Sequence, residues 1–179
     1  MAVTLEAISG FLNQEGIQHQ LDVGQSRLDT DFDTENYCDQ SQAKRLALVI
    51  QLEEDGRFFK LIAPHCYNCK DSPFKEAIFK VLLIICLKTR MLQFEYDPSE
   101  GVVQAIVEFP LEDAQMTRAQ LARCIRGLVA QIDRYHNMIA TVIETGQVSF
   151  PVYLRDELMK LVGDMYEDFL QHLEGDTED

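Results

Sequence analysis

Residues 74–109, FKEAIFKVLLIICLKTRMLQFEYDPSEGVVQAIVEF, hold the pattern that decides the fold. Phe74, Ala77, Ile78, Val81, Leu82 and Ile85, with the flanking Leu and Ile residues, make a run that is apolar on nearly every side. Such a run reads as a buried central helix packed against a sheet. Ser72 followed by Pro73 marks its start, the hydroxyl as cap and the proline at the first helical position. Lys88 and Arg90 suit the negative charge of its C-terminal end. Beyond it, Gln93-Phe94-Glu95-Tyr96 and Val102 to Phe109 flank Asp97-Pro98-Ser99-Glu100-Gly101, whose proline and glycine fit a turn, so the two runs read as a hairpin.

Working outward, Thr117-Arg118-Ala119-Gln120 fits a capping box and opens a helix that can run to Glu144, with Gly146 to end it. After Phe150-Pro151, Leu154, Leu158, Leu161, Met165, Phe169 and Leu173 recur along one side of a further amphipathic helix, and residues 174–179 form an acidic tail. On the N-terminal side, the β-rich runs Leu46 to Leu52 and Phe58 to Ala63 flank Asp55-Gly56, a strong hairpin signal. Pro64, lacking an N–H for the ladder, reads as the end of the second run. Leu5, Ile8, Phe11 and Leu12 share one helical face with Gly16 as a stop, and Ile17, His19, Leu21 and Val23 alternate as in a half-buried strand. Residues 24–43, with Asp29, Asp31, Asp33, Glu35 and Asp39 among few apolar side chains, read as an exposed acidic loop. The expected order is α-β-β-β-α-β-β-α plus an additional C-terminal helix. That is an α+β fold with a largely antiparallel sheet, in one domain over residues 1–173.

The order resembles that of the YbjN family, whose domain is similar to the small secretion chaperones of type III systems. The resemblance rests on residues 74 to 145: the apolar helix, Met91 to Asp97, a glycine-containing turn, Val102 to Glu108, and Leu111-Glu112-Asp113 ahead of the Thr117 helix. It implies a non-enzymatic, often dimeric, protein-binding role.

Composition narrows the classes of function. The chain has 179 residues, 46% of them hydrophobic and 26% charged, as in a globular domain. A net charge of −14 repels phosphate backbones and anionic lipid, and Lys44-Arg45 and Lys88 with Arg90 read as isolated basic pairs, so neither nucleic acid nor membrane is expected as a partner. Val81 to Leu87 is far shorter than the ~18 apolar residues of a membrane-spanning helix. The start of the chain lacks the basic and apolar regions of a secretory signal. With an odd number of cysteines in no dense framework, reduced thiols in the cytoplasm are expected.

Three local patterns carry candidate chemistry. In His65-Cys66-Tyr67-Asn68-Cys69 two thiols and an imidazole could serve zinc, but a structural site needs four ligands and no second cysteine pair follows; Cys38, His19 or His136 would have to complete it. The same thiols could form a redox pair, yet Ser72-Pro73 starts the helix beyond the reach of its dipole. The two cysteines are expected on a solvent-facing or half-buried loop. Cys86 and Cys124 read as small core residues. Asp29, Asp31, Asp33 and Glu35 resemble the opening of a calcium loop, but Thr34 replaces the obligatory glycine and Gln40 the closing glutamate. No phosphate loop, nucleophile elbow or paired metal histidines occur, so no catalytic residue and no cofactor is expected.

The expectation is a cytosolic protein-binding adaptor or chaperone-like module, not an enzyme, recognising an unidentified protein or peptide. The competing reading is a calcium-responsive protein using residues 29–39. Leu121, Ile125, Leu128, Ile132, Tyr135, Ile139 and Val142 recur at spacings of four and three, the seam of packed helices. A homodimer is expected, with the 117–145 helix, the terminal helix, or both at its interface; the competing reading packs the stripe on its own sheet.

Overall fold

A computed structural model describes residues 3–148. The chain divides into two units, 1–147 and 148–179. The terminal helix expected over 154–173 and the tail at 174–179 lie outside the described residues, and the first unit ends short of the boundary expected at 173.

The elements run α1 (Leu5–Gln14), β1 (His19–Asp22), β2 (Arg27–Asp33), β3 (Arg45–Glu53), β4 (Phe58–Asn68), α2 (Lys75–Lys88), β5 (Gln93–Asp97), β6 (Val102–Pro110) and α3 (Arg118–Thr145). The six strands form one antiparallel sheet in the order β1-β2-β3-β4-β6-β5. Register explains its two faces. Leu28 stands opposite Ile50, Ile50 opposite Leu61, and Leu61 opposite Val107, all buried. One residue along, Arg27, Gln51, Lys60 and Glu108 form a polar row on the other face, with Lys60 and Glu108 paired at 3.4 Å. α3 packs against β6, between α1 on the β1–β2 side and α2 on the β5 side.

The expected α+β architecture is present with one strand more. β2 lies within the stretch read as an acidic loop, and the reason is its alternation. Leu28 and Thr30 turn inward while Arg27, Asp29, Asp31 and Asp33 line the opposite face, and Thr30 Oγ1 donates a 2.7 Å hydrogen bond to the Gln18 carbonyl. The rest of the stretch is tied down. Asp133 of α3 accepts hydrogen bonds from the backbone N–H groups of Glu35, Asn36 and Tyr37 at 3.0, 2.7 and 2.8 Å. Burial alone would push the Asp133 carboxyl up, but these donors outweigh it and hold it below the usual carboxylate range. Tyr37 is buried beneath, its hydroxyl donating to the Cys66 carbonyl and its ring edge-on to Tyr67 and His136.

β4 also continues past the stop expected at Pro64. A bulge between Ala63 and Tyr67, with His65 at φ +52°, absorbs the proline before pairing with β6 resumes at Tyr67 and Asn68. The turn residues behave as read. Asp97 caps the β5–β6 turn through Ser99, and Gly101 sits at φ +76° with its Cα against the Lys70 backbone, where any Cβ would collide. Thr117 and Gln120 form the capping box, with backbone bonds of 3.2 and 2.8 Å, and Gly146 ends α3 at φ +71° against the Phe74 ring.

Candidate protein-binding surface

The residues singled out by sequence fall in three places. Asp29, Asp31 and Asp33 share one face of β2. An extended chain spaces such alternate residues by about 6.6 Å, instead of curling them round one ion. Asp29 pairs with Arg27 at 3.1 Å and Asp31 with Arg45, while Glu35 lies beyond the strand in the loop pinned by Asp133. No group of three or more His, Cys, Asp or Glu among the described residues is placed to hold a metal ion.

Neither Cys66 nor Cys69 faces solvent. They are 4% and 1% exposed, at the end of β4 and just beyond it. The Cys66 thiol donates to the Ala63 carbonyl at 3.0 Å, and burial pushes its pKa up to about 12. Burial also raises the Cys69, Cys86 and Cys124 thiols, the opposite of what a nucleophile or metal ligand needs. The sequence reading failed here because the bulge carries β4 through Pro64.

The α3 stripe is consumed inside the chain. Leu121, Ile125, Leu128, Ile132, Tyr135, Ile139 and Val142 are all buried, with Ala122, Cys124 and Met138 filling between them. A side chain already packed on its own sheet and neighbouring helices has no surface left for a second copy. Any interface must be built from other residues.

Large apolar side chains left in solvent are found on α2. The helix buries Ile78, Val81, Leu82 and Ile85 but leaves Leu83 and Leu87 70% and 69% exposed, so it is only half the buried helix expected. Among the described residues, the other large apolar side chains left out are Met91, just after α2, and Val23. Scattered apolar residues are ordinary on a surface; two leucines four apart on one helix, beside a groove, are not. The groove runs between α2 and β5, has a volume of about 210 Å³, and is lined by Phe79, Leu82, Leu83, Cys86, Phe94 and Tyr96, with Glu95 as its one charged side chain among the described residues. Its floor is braced by Phe79 and Tyr96, whose ring centres are 4.9 Å apart. Because β5 ends the sheet and pairs only with β6, its outer backbone edge is open among the described residues. An apolar groove beside an unpaired strand can accept a helix face, a strand, or both. The signal was present in sequence: the apolar positions of residues 74–87 exceed what one helical face can bury.

The chain matches no protein-family model and no curated protein. Among solved structures it is similar to a chain of the HopA1–SchA chaperone–effector complex, at 16% identity, over 72% of this chain and 88% of that one, with a TM-score of 0.49. It is also similar to YbjN from E. coli, at 14% identity, over 85% of this chain and 99% of that one, again with a TM-score of 0.49. These are a chaperone complex and a YbjN protein, in keeping with the resemblance drawn from residues 74–145. At that level of similarity no residue's role transfers, and the candidate surface stands on its own geometry.

Proposed function

We propose that this chain is a non-enzymatic, chaperone-like protein-binding module of the cytosol that works as a homodimer joined through α2 and the adjoining β5 groove. The observation that carries the reading is the exposure of Leu83 and Leu87 beside that groove. A second copy fits the pattern because Phe79 and Leu87 lie equally spaced on either side of Leu83. Two antiparallel α2 helices crossing at Leu83 would set each Leu87 over the other's Phe79, the self-complementary contact that a twofold axis requires. The antiparallel arrangement also places each helix's positive N-terminal end by the other's negative C-terminal end. Burying each exposed leucine contributes about 1.5–3 kcal/mol, counted twice across the axis.

The non-enzymatic reading is supported by the buried thiols, which are held protonated, and by His136 Nδ1 and the Tyr67 hydroxyl, which have no hydrogen-bond partner among the described residues that would make them part of a proton relay.

Light scattering at tens of micromolar tests the dimer. The wild type is expected at about twice its 20.5 kDa mass, and the Leu83→Asp, Leu87→Asp variant at the single-chain mass with its thermal transition retained. A wild-type monomer, or a variant that remains dimeric, would overturn the assignment.

A further inference from the structure

A second cavity, of about 500 Å³, opens between the C-terminal end of α2, the turn after it, and the middle of α3. Leu92, Val107 and Leu128 lie buried behind it, and the half-exposed Met91 is its accessible apolar side chain. Lys88, Arg90 and Arg123 stand among its lining residues, and among the described residues no carboxylate does. In a chain with net charge −14 that is a marked local reversal of sign. Arg118 and Arg126, on the same helix, are both held by Glu15, at 3.3 and 2.6 Å. Arg90 and Arg123 take part in no ion pair among the described residues. Lys88 and Arg90 are an isolated pair in sequence, and Arg123 joins them only through the fold.

Two backbone features hold the cleft open. Gly127 lies mid-helix, where glycine is worth about 1 kcal/mol less than alanine, and a Cβ built there would touch nothing. Packing therefore does not require glycine at 127, and a missing side chain leaves the α3 surface bare inside the cleft. Met91 holds a left-handed conformation at φ +68° and keeps its flexible side chain half exposed at the cleft.

We infer that this cleft is a recognition site for an acidic amphipathic peptide segment: an apolar side chain enters beside Met91 over the bare backbone at Gly127 while neighbouring Asp or Glu carboxylates meet Arg90 and Arg123. Arginine forks suit carboxylates, and a partly desolvated site strengthens such pairs. A nucleic-acid strand would offer the negative charge but would also meet the repulsion of the remaining acidic surface. The inference rests on reading the chain as a protein-binding module, but not on its dimerisation.

The test is an array of short synthetic peptides in which leucine and phenylalanine content and glutamate content vary independently. Binding to the full chain is read by fluorescence anisotropy, with single-stranded DNA as a second polyanion. Binding is expected only where both apolar and acidic residues are present. It should weaken about tenfold or more in the Arg90→Glu, Arg123→Glu variant and with rising salt. Gly127→Leu should block the cleft without lowering the unfolding temperature, because leucine is the better helix former. The Leu83→Asp, Leu87→Asp variant should still bind, which separates this site from the dimer surface. No binding across the array, equal binding of glutamine-substituted peptides, preference for DNA, or unchanged affinity in the arginine variant would each overturn the inference.

Discussion

α2 and α3 differ in a way their compositions do not suggest. α2 is the more apolar helix, yet it leaves two leucines in solvent; α3 is rich in arginine, yet every residue of its seven-membered stripe is buried. Burial follows periodicity. α3 confines its apolar positions to one face, which one sheet can cover, whereas α2 distributes them around its axis and one sheet covers only half. The face left over on α2 is the surface proposed for self-association.

The contrast is sharpest in substitutions. Ile132→Ala, on the buried face of α3, should lower stability by about 2–5 kcal/mol, a fall of roughly 4–20 °C in thermal unfolding. Leu83→Ala on α2 should change the stability of the single chain by no more than about 0.5 kcal/mol while weakening self-association. A comparable loss at both positions would mean that the exposed leucines are core residues after all.

Next in size come the thiols. Replacing Cys66 and Cys69 by serine places hydroxyls in sites that are nearly closed to water, and should lower stability by about 1–3 kcal/mol. A thermal transition unchanged by the double substitution would contradict their burial.

A smaller effect tests how α3 pins residues 35–37. Asp133→Ala removes the acceptor for three backbone N–H groups and, by analogy with a helix cap, should cost about 1–2 kcal/mol. The pH dependence has a definite sign. Burial lowers the His136 pKa from 6.5, the Asp133 charge opposing it, so the unfolded chain binds a proton there that the folded chain resists. Stability is therefore full above pH 6.5 and declines as pH falls toward the depressed folded value. Asp133, also depressed in the fold, adds stability that is lost only at lower pH, below 3.8. His136→Leu should abolish the upper limb and Asp133→Asn should shrink the lower one, to which Asp39 and Asp97, also held low by hydrogen bonds, contribute, as read from urea unfolding across the pH range. Smallest of all, calcium at millimolar concentration should leave the unfolding temperature unchanged, since Asp29 and Asp31 already face arginines on an extended strand. A saturable isotherm below about 100 μM would restore the calcium reading.

Much of this fold was legible because its punctuation is local. Thr117 with Gln120, Gly146, Asp55-Gly56 and Asp97 to Gly101 each encode their own turn or cap, and each stands where its chemistry places it. β2 was lost because its inward residues include Thr30, whose polar side chain is satisfied by a carbonyl from another segment, and because its aspartates dominate the composition. The extent of β4 was lost because a proline within a strand is tolerated only at a bulge or an edge, which sequence does not reveal. The candidate surfaces were legible only in part. The excess apolar residues of α2 were visible, but not which of them would be left over. The pairing of Arg90 with Arg123 across one cleft depends wholly on tertiary contact.

Hydrogen exchange followed as a function of protein concentration tests the dimer through α2 most directly. If two copies meet there, amides of residues 79–97 should gain protection between submicromolar and tens-of-micromolar chain, while those of α3 stay unchanged. Protection that gains nothing with concentration, or gains it on the polar sheet face instead, would contradict α2 and β5 as the recognition surface.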